Sequence, residues 1–312
     1  MVEGLWAHTK AFCEIKTESY TIIDVQMLYS FTGKYNSYEF EVFEDGGTKF
    51  IVKRFPVEAK KSWSNEKEAY LLLASMGYQD IPKLISYGND NSYHYIVTEF
   101  IDNSCQLQNV TLSKDHYDLI EKLGASVKKL HELSKSKVNV YHKSVDDDRG
   151  FAPVDYWMYQ LETLLSSGGN QVVKDYKSIE KIILKYGGEV AQYLSLPSLI
   201  HRDLEFRNIL IDSKDNLRVI DWEVSMFGHP DSDLSRFIWF ILREDQVLVE
   251  TFLNGYNCIP ERKERRNILF FRMIFCIEML KYLLRLKNVD QASAQLKELI
   301  ISSLNHSFNV LI

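Results

Sequence analysis

The hydrophobic pattern changes period close to residue 102, and that change limits the folds open to the chain more than any other feature. Before it, Tyr38 to Phe43 alternates polar and apolar, Glu44-Asp-Gly-Gly47 supplies turn chemistry, and Lys49 to Phe55 answers with a second apolar run. This is the pattern of a β-hairpin. A helix is expected from about Ser64 to Met76, with Ser64 or Asn65 as N-cap and Gly77 closing it, then short strands at Lys83 to Tyr87 and Tyr93 to Glu99. After residue 102, apolar residues recur at Ile120, Leu123, Val127, Leu130 and Leu133, the spacing of an amphipathic helix. Further helices are expected near 155–165, 174–186, 232–242, 246–253, 262–286 and 292–305. The expectation is an α+β chain of two lobes, a small β-rich one over residues 1–101 and a larger helical one over 102–312.

Composition narrows the function. A net charge of −6 lacks the basic stripe that a nucleic-acid partner demands. The longest apolar run, Ile268 to Leu286, is interrupted by Arg272, Glu278 and Lys281, so it reads as a core helix and no membrane partner is expected. The first ten residues do not have the form of a secretory signal. Cys13, Cys105, Cys258 and Cys276 are too scattered for a zinc or disulfide framework and are expected to be reduced and buried, as in a cytoplasmic protein.

The strongest local signal is H-R-D-L-E-F-R-N, His201 to Asn208, running into I-L-I-D-S-K-D-N-L-R-V-I-D-W, Ile209 to Trp222. Two short apolar strands flank a turn at Ser213 to Asn216. A four-residue turn pairs Asp212 with Leu217 and Leu210 with Val219, which sets Asn208 opposite Asp221. An amide oxygen and a carboxylate at one hairpin end suit a magnesium ion, which takes hard oxygen ligands and leaves the rest to phosphates and water. Asp203, five residues before Asn208, can face the same point and accept a proton from a substrate hydroxyl.

H-x-D-L-x-x-x-N followed by I-D-W resembles the catalytic and metal-binding loops of the aminoglycoside phosphotransferase and choline kinase superfamily, whose fold is protein-kinase-like. Protein kinases carry D-F-G where this chain has Asp221-Trp222-Glu223, and A-P-E, which is missing downstream. The segment M-F-G-H-P-D-S-D-L-S resembles G-x-P-x-x-D-L of the small-molecule kinases, making Asp233 the brace of the catalytic loop. The resemblance implies that Lys53 holds the donor phosphates, with Glu66 as its ion-pair partner and Glu68 as the fallback. It implies a purine-binding hinge over Tyr95 to Ile101, with Glu99 and Ile101 contacting the base, and a phosphate contact at Ser37 in a glycine-poor loop.

The resulting expectation is a magnesium-dependent kinase that moves the γ-phosphoryl group of ATP or GTP to a hydroxyl of a small molecule, possibly a cationic one such as an aminoglycoside or amino alcohol. Asp203 is the catalytic residue, Asn208 and Asp221 the metal ligands, and Lys53, Glu66, Ser37, Glu99 and Ile101 the nucleotide site. Glu223, Asp231, Glu244 and Asp245 are acidic candidates for a cationic acceptor. The alternatives are a nucleotide-binding pseudokinase scaffold and a protein kinase. Trp222, Trp239 and His131 read as core residues, and His201 as a structural support of the loop.

Overall fold

The computed structural model describes residues 12–16, 21–32, 39–45, 48–90, 92–102, 104–110, 117–135, 153–171, 173, 175–193, 197–257, 262–285 and 291–311. Ser37 lies outside the described residues.

The amino-terminal part is a six-stranded antiparallel sheet in the order β1-β2-β3-β4-β6-β5. Its strands are β1 (Phe12–Lys16), β2 (Thr21–Thr32), β3 (Glu39–Asp45), β4 (Thr48–Pro56), β5 (Leu84–Asn89) and β6 (Tyr93–Glu99). The alternation read in the sequence is used on both faces of β4. Phe50 and Val52 pack with Tyr95 and Val97 on one side. Phe55, on the other, joins the core under helix α1 (Lys60–Ser75), and Lys53 shares its face.

Helix α1 buries Trp63, Glu66, Ala69, Tyr70 and Leu73 along one stripe. It begins four residues earlier than its capping signals suggest, behind a 3₁₀ turn at Val57–Ala59 and with no side-chain cap. Burial of Trp63, whose indole N–H donates to the Tyr95 carbonyl at 2.9 Å, outweighs the cap that Ser64 or Asn65 offers. The far end follows the expectation. Gly77 is left-handed (φ 70°), its N–H donates to Ala74 O at 3.1 Å, and Tyr78 N–H donates to Leu73 O at 3.0 Å, a Schellman closure.

The rest is mostly helical: α2 (Tyr117–Ser134), α3 (Pro153–Ser166), α4 (Tyr176–Ile182), α5 (Gly188–Tyr193), α6 (Pro230–Arg236), α7 (Gln246–Gly255), α8 (Arg262–Arg285) and α9 (Gln291–Leu311). Single π-helical turns at Ile183–Gly187 and Phe237–Ile241 follow α4 and α6. Short strands β7 (Cys105–Gln106), β9 (Ile209–Ile211) and β10 (Leu217–Val219) form one small sheet. Strands β8 (Ser198–Ile200) and β11 (Met226–Gly228) form another.

Two large cores hold these parts. One runs from α1 through α2, the β9–β10 hairpin and Trp222 to Phe237 and Phe252, so it joins the sheet region to the helical region. The other fills the space between α3, α4, α8 and α9. Val219 N–H also donates to Asp80 O at 2.8 Å, and Asp80 Oδ2 accepts from Ser126 Oγ at 2.8 Å, tying the segment after α1 to both β10 and α2. Trp222, Trp239 and His131 are buried. Cys276 is buried, but Cys105 is exposed, contrary to expectation, because it sits on a two-residue edge strand. No helix among the described residues is long and apolar enough to cross a membrane.

Candidate active site

The hairpin that carries the signature closes one residue tighter than expected. Asp215 is left-handed (φ 57°), Asp212 N–H donates to Asn216 O at 3.1 Å, and the Asp212 carboxylate accepts from the amides of Lys214 (2.8 Å) and Asn216 (3.0 Å). The loop is therefore three residues, not four, and the pairs are Ile211 with Leu217, Leu210 with Arg218 and Ile209 with Val219. Asn208 then stands opposite Ile220, whose N–H donates to Asn208 O at 2.9 Å, and not opposite Asp221. Asp221 leaves the strand in a left-handed conformation (φ 68°) and turns its side chain toward the sheet.

There it meets Lys53. The Nζ of Lys53 lies 2.6 Å from Glu66 Oε2, 2.8 Å from Asp221 Oδ1 and 3.7 Å from Glu223 Oε2, and its side chain is only 8% exposed. Burial alone would lower the Lys53 pKa, but the carboxylates of Glu66, Asp221 and Glu223 together hold it above the usual lysine range. Burial pushes the Glu66 carboxyl up to about 7, against the pull of Lys53. Glu68, the alternative partner, pairs with Lys67 instead at 3.3 Å. The Asn65 side-chain amide donates to Glu223 O at 3.0 Å, so α1 also grips the segment after Asp221.

The loop before the hairpin is fixed from below. Asp233 on α6 accepts from His201 N–H at 2.7 Å and from Arg202 N–H at 2.8 Å, and His131 Nε2 lies 3.3 Å from its Oδ2. Burial would raise the Asp233 pKa, but these donors hold it below the usual carboxylate range. His201 supports the loop: Nε2 bonds Ile220 O at 2.9 Å, and Nδ1 accepts from Asp203 N–H at 3.2 Å. This pattern puts the ring proton on Nε2. Its ring also lies against Trp222 at 4.5 Å.

Asp203 Oδ2 accepts from Asn208 Nδ2 at 2.9 Å and from Arg207 Nη2 at 3.1 Å, while Oδ1 is held by Arg236. Burial acts to raise the Asp203 pKa, but Arg236 and Arg207 hold the carboxyl below its ordinary value. Asn208 Nδ2 also donates to Asp203 O at 2.8 Å. With its N–H₂ group so engaged, the Asn208 side chain turns its oxygen, a hard donor, elsewhere.

Arg236, Arg207 and Glu205, which surround Asp203, carried no signal in the sequence, because an arginine on a helix after the G-x-P-x-x-D-L segment looks like any solvated charge. Glu223 proves to be a third carboxylate beside Lys53. Of the other acidic candidates, Glu244 pairs with Arg272 at 2.6 Å, Asp245 caps α7 by accepting from Leu248 N–H at 3.1 Å, and Asp231 lies 3.4 Å from His229 Nδ1. At the end of β6 and just beyond it, Glu99 Oε1 accepts from Lys83 N–H at 3.0 Å and Ile101 O from Ser104 Oγ at 2.8 Å.

The carboxylates of Glu66, Asp221 and Glu223 offer oxygens within 4.8 Å of one another. Of the three, Asp221 is the most exposed and offers a hard donor that suits magnesium, and Lys53 beside it suits a phosphate chain.

Solved structures of low sequence identity share the fold. An aminoglycoside 2'-phosphotransferase mutant solved with GDP superposes at a TM-score of 0.64 and 14% identity, covering 96% of this chain and 95% of that one. An AMP complex of spectinomycin phosphotransferase gives 0.62 and 14%, covering 90% and 94%. The choline kinase LicA of Streptococcus pneumoniae gives 0.60 and 20%, also covering 90% and 94%. A calcium/calmodulin-dependent serine/threonine-protein kinase of Oryza sativa subsp. japonica is 35% identical over 81 residues, which are 25% of this chain and 13% of that protein. The chain thus spans only about an eighth of the length of this curated relative. Residues 31–268, most of the chain, match the family model of the phosphotransferase enzyme family (APH), and the chain belongs to that family.

Proposed function

We propose that the chain transfers the γ-phosphoryl group of ATP or GTP to a hydroxyl of a small molecule in a magnesium-dependent reaction. The observation that carries this reading is the pairing of two charged groups: Lys53 among Glu66, Asp221 and Glu223, and Asp203 bonded to Asn208 on the loop that enters the same hairpin. Nucleotide complexes among the structural neighbours support a nucleotide as donor.

In this reading residues 1–101 form the nucleotide lobe and 102–312 the catalytic and substrate lobe. Glu66 holds Lys53 against the donor phosphates, the backbone at Glu99 and Ile101 receives the purine, and Ser37 contacts phosphate. Asn208 and Asp221 would hold a magnesium ion, whose charge would offset that on the phosphate oxygens when it is bound. Asp203 orients the acceptor hydroxyl and takes its proton as the new O–P bond forms and the bond from the γ-phosphorus to the β,γ-bridging oxygen breaks, releasing the nucleoside diphosphate. The proposed compartment is the cytoplasm.

A panel of amino alcohols, aminoglycosides, amino acids and sugars, each incubated with magnesium and ATP or GTP, tests the reading. The expected result is nucleoside diphosphate release that needs magnesium and rises well above the slow rate with water when one class of small acceptor is present. The match to the plant protein kinase favours a second reading, a protein acceptor. Label transferred from the nucleotide to protein and to no small molecule would overturn the first reading in favour of the second.

A further inference from the structure

Arg202, the residue before Asp203, is left-handed (φ 64°), a conformation that a residue with a Cβ adopts only when its surroundings hold it. Two residues one turn apart on α6 provide that hold. Asp233 Oδ1 accepts from Arg202 N–H at 2.8 Å, and Arg236 Nη1 donates to Arg202 O at 2.5 Å. Both sides of the strained residue are thus fixed from one face of one helix.

Arg236 does more than hold a carbonyl. Its Nη2 bridges Asp203 Oδ1 and Glu205 Oε1. Arg207 closes the ring from the other side, with Nη2 3.1 Å from Asp203 Oδ2 and Nε 3.1 Å from Glu205 Oε2. The two arginines are not equivalent. Arg236 is 15% exposed and lies over the Phe275 ring at 4.9 Å, whereas Arg207 is 46% exposed. Arg236 is the anchored member of the pair.

An ionised carboxylate has about four acceptor positions. On Asp203, Asn208 and Arg207 occupy Oδ2 and Arg236 occupies one side of Oδ1. Among the described residues, one position on Oδ1 is left for a hydroxyl. We propose that Arg236 is a positioning residue for phosphoryl transfer, which fixes the Arg202–Asp203 backbone and the Asp203 carboxylate together so that this position faces the acceptor. The inference rests on Asp203 being the group that takes the acceptor's proton. A planar fork with separate donors for a carbonyl and two carboxylates is what the site uses, and a lysine ammonium supplies the charge without that geometry.

The test compares the full chain with Arg236→Gln, Arg236→Lys and Asp203→Asn, reading magnesium-dependent ATP hydrolysis with water as acceptor and the affinity for magnesium-ADP. Misplacement of a reacting group by about 1 Å lowers turnover about 100-fold. Arg236→Gln is therefore expected to lose about 100-fold in kcat and to keep magnesium-ADP affinity within about twofold. Arg236→Lys is expected to recover only part of that loss. Wild-type kcat in Arg236→Gln, full recovery by Arg236→Lys, or a parallel loss of magnesium-ADP affinity would each overturn the positioning role while an inactive Asp203→Asn left the reading of Asp203 intact. Wild-type turnover in Asp203→Asn would overturn that reading, and this inference with it.

Discussion

Lys53 Nζ lies 2.8 Å from Asp221 Oδ1, a contact between residues 168 positions apart that joins the amino-terminal sheet to the end of the β9–β10 hairpin. The lysine is buried with Glu66 as its second partner, so the pair is coupled to folding as well as to chemistry. Removing one member of a buried ion pair costs about 3–5 kcal/mol, because the other is left uncompensated. Lys53→Met is expected to fall in that range by urea denaturation and to lose nucleotide affinity. The double variant Lys53→Met/Glu66→Gln is expected to regain much of the stability and none of the affinity. Equal affinity in Lys53→Met and wild type would remove the lysine from the nucleotide site.

Asp233 accepts from two backbone amides in the loop that carries Asp203, and its loss leaves both donors unpaired. Each unmet buried donor costs about 1–3 kcal/mol. Asp233→Ala is expected to lower unfolding free energy by about 2–6 kcal/mol on that basis and to depress turnover with it. A variant that unfolds at the wild-type urea midpoint would contradict the brace.

The cap of α6 makes acid stability sensitive to one histidine. Burial, with smaller contributions from His131 and Lys135, lowers the His229 pKa from 6.5 to about 4. Between those values the unfolded chain binds a proton that the folded chain does not, so stability is present above pH 6.5 and is lost as pH falls toward 4. The slope from one such group is at most about 1.4 kcal/mol per pH unit. His229 Nδ1 accepts from Asp231 N–H at 3.1 Å, a cap that asparagine can supply without titrating. His229→Asn is expected to flatten this limb in denaturation experiments across pH 4 to 6.5, and an unchanged slope would assign the acid limb to other groups.

Helices α2 and α7 touch through their glycines. A Cβ on Gly124 would come within 2.1 Å of Phe252 O, and one on Gly255 within 1.8 Å of Glu121 O. Overpacking of this kind costs about 1–3 kcal/mol. Gly124→Ala and Gly255→Ala are each expected to lower the melting temperature, and a rise in either would show that the two helices separate freely.

These contacts also mark what the sequence could and could not convey. The period of two in β4 and the period of 3.6 in α2 placed strands and helices well, because each element buries one face. The pairing of Lys53 with Glu66 was legible only through the family resemblance, because the residues alone leave Glu68 on the same helix as an equal candidate. The register of β9 and β10 was misjudged by one residue, because the left-handed Asp215 shortens the loop and the sequence S-K-D-N does not reveal which residue takes that conformation. The start of α1 was decided by burial of Trp63, a tertiary effect that local capping signals do not contain. Strands β1 and β2 were not anticipated. The ring of Arg236, Asp203, Glu205 and Arg207 joins α6 to a loop about thirty residues earlier, and charge spacing along the chain has no access to such a contact.

In the proposed reaction Asp203 acts on the acceptor hydroxyl while other residues bind the nucleotide. The most direct measurement is magnesium-dependent ATP or GTP turnover by Asp203→Ala beside its affinity for magnesium-ADP. Turnover is expected to fall by at least about 100-fold, the lower end of what a positioned acid–base group contributes, with affinity within a few-fold of wild type. Turnover equal to wild type at unchanged affinity would contradict it.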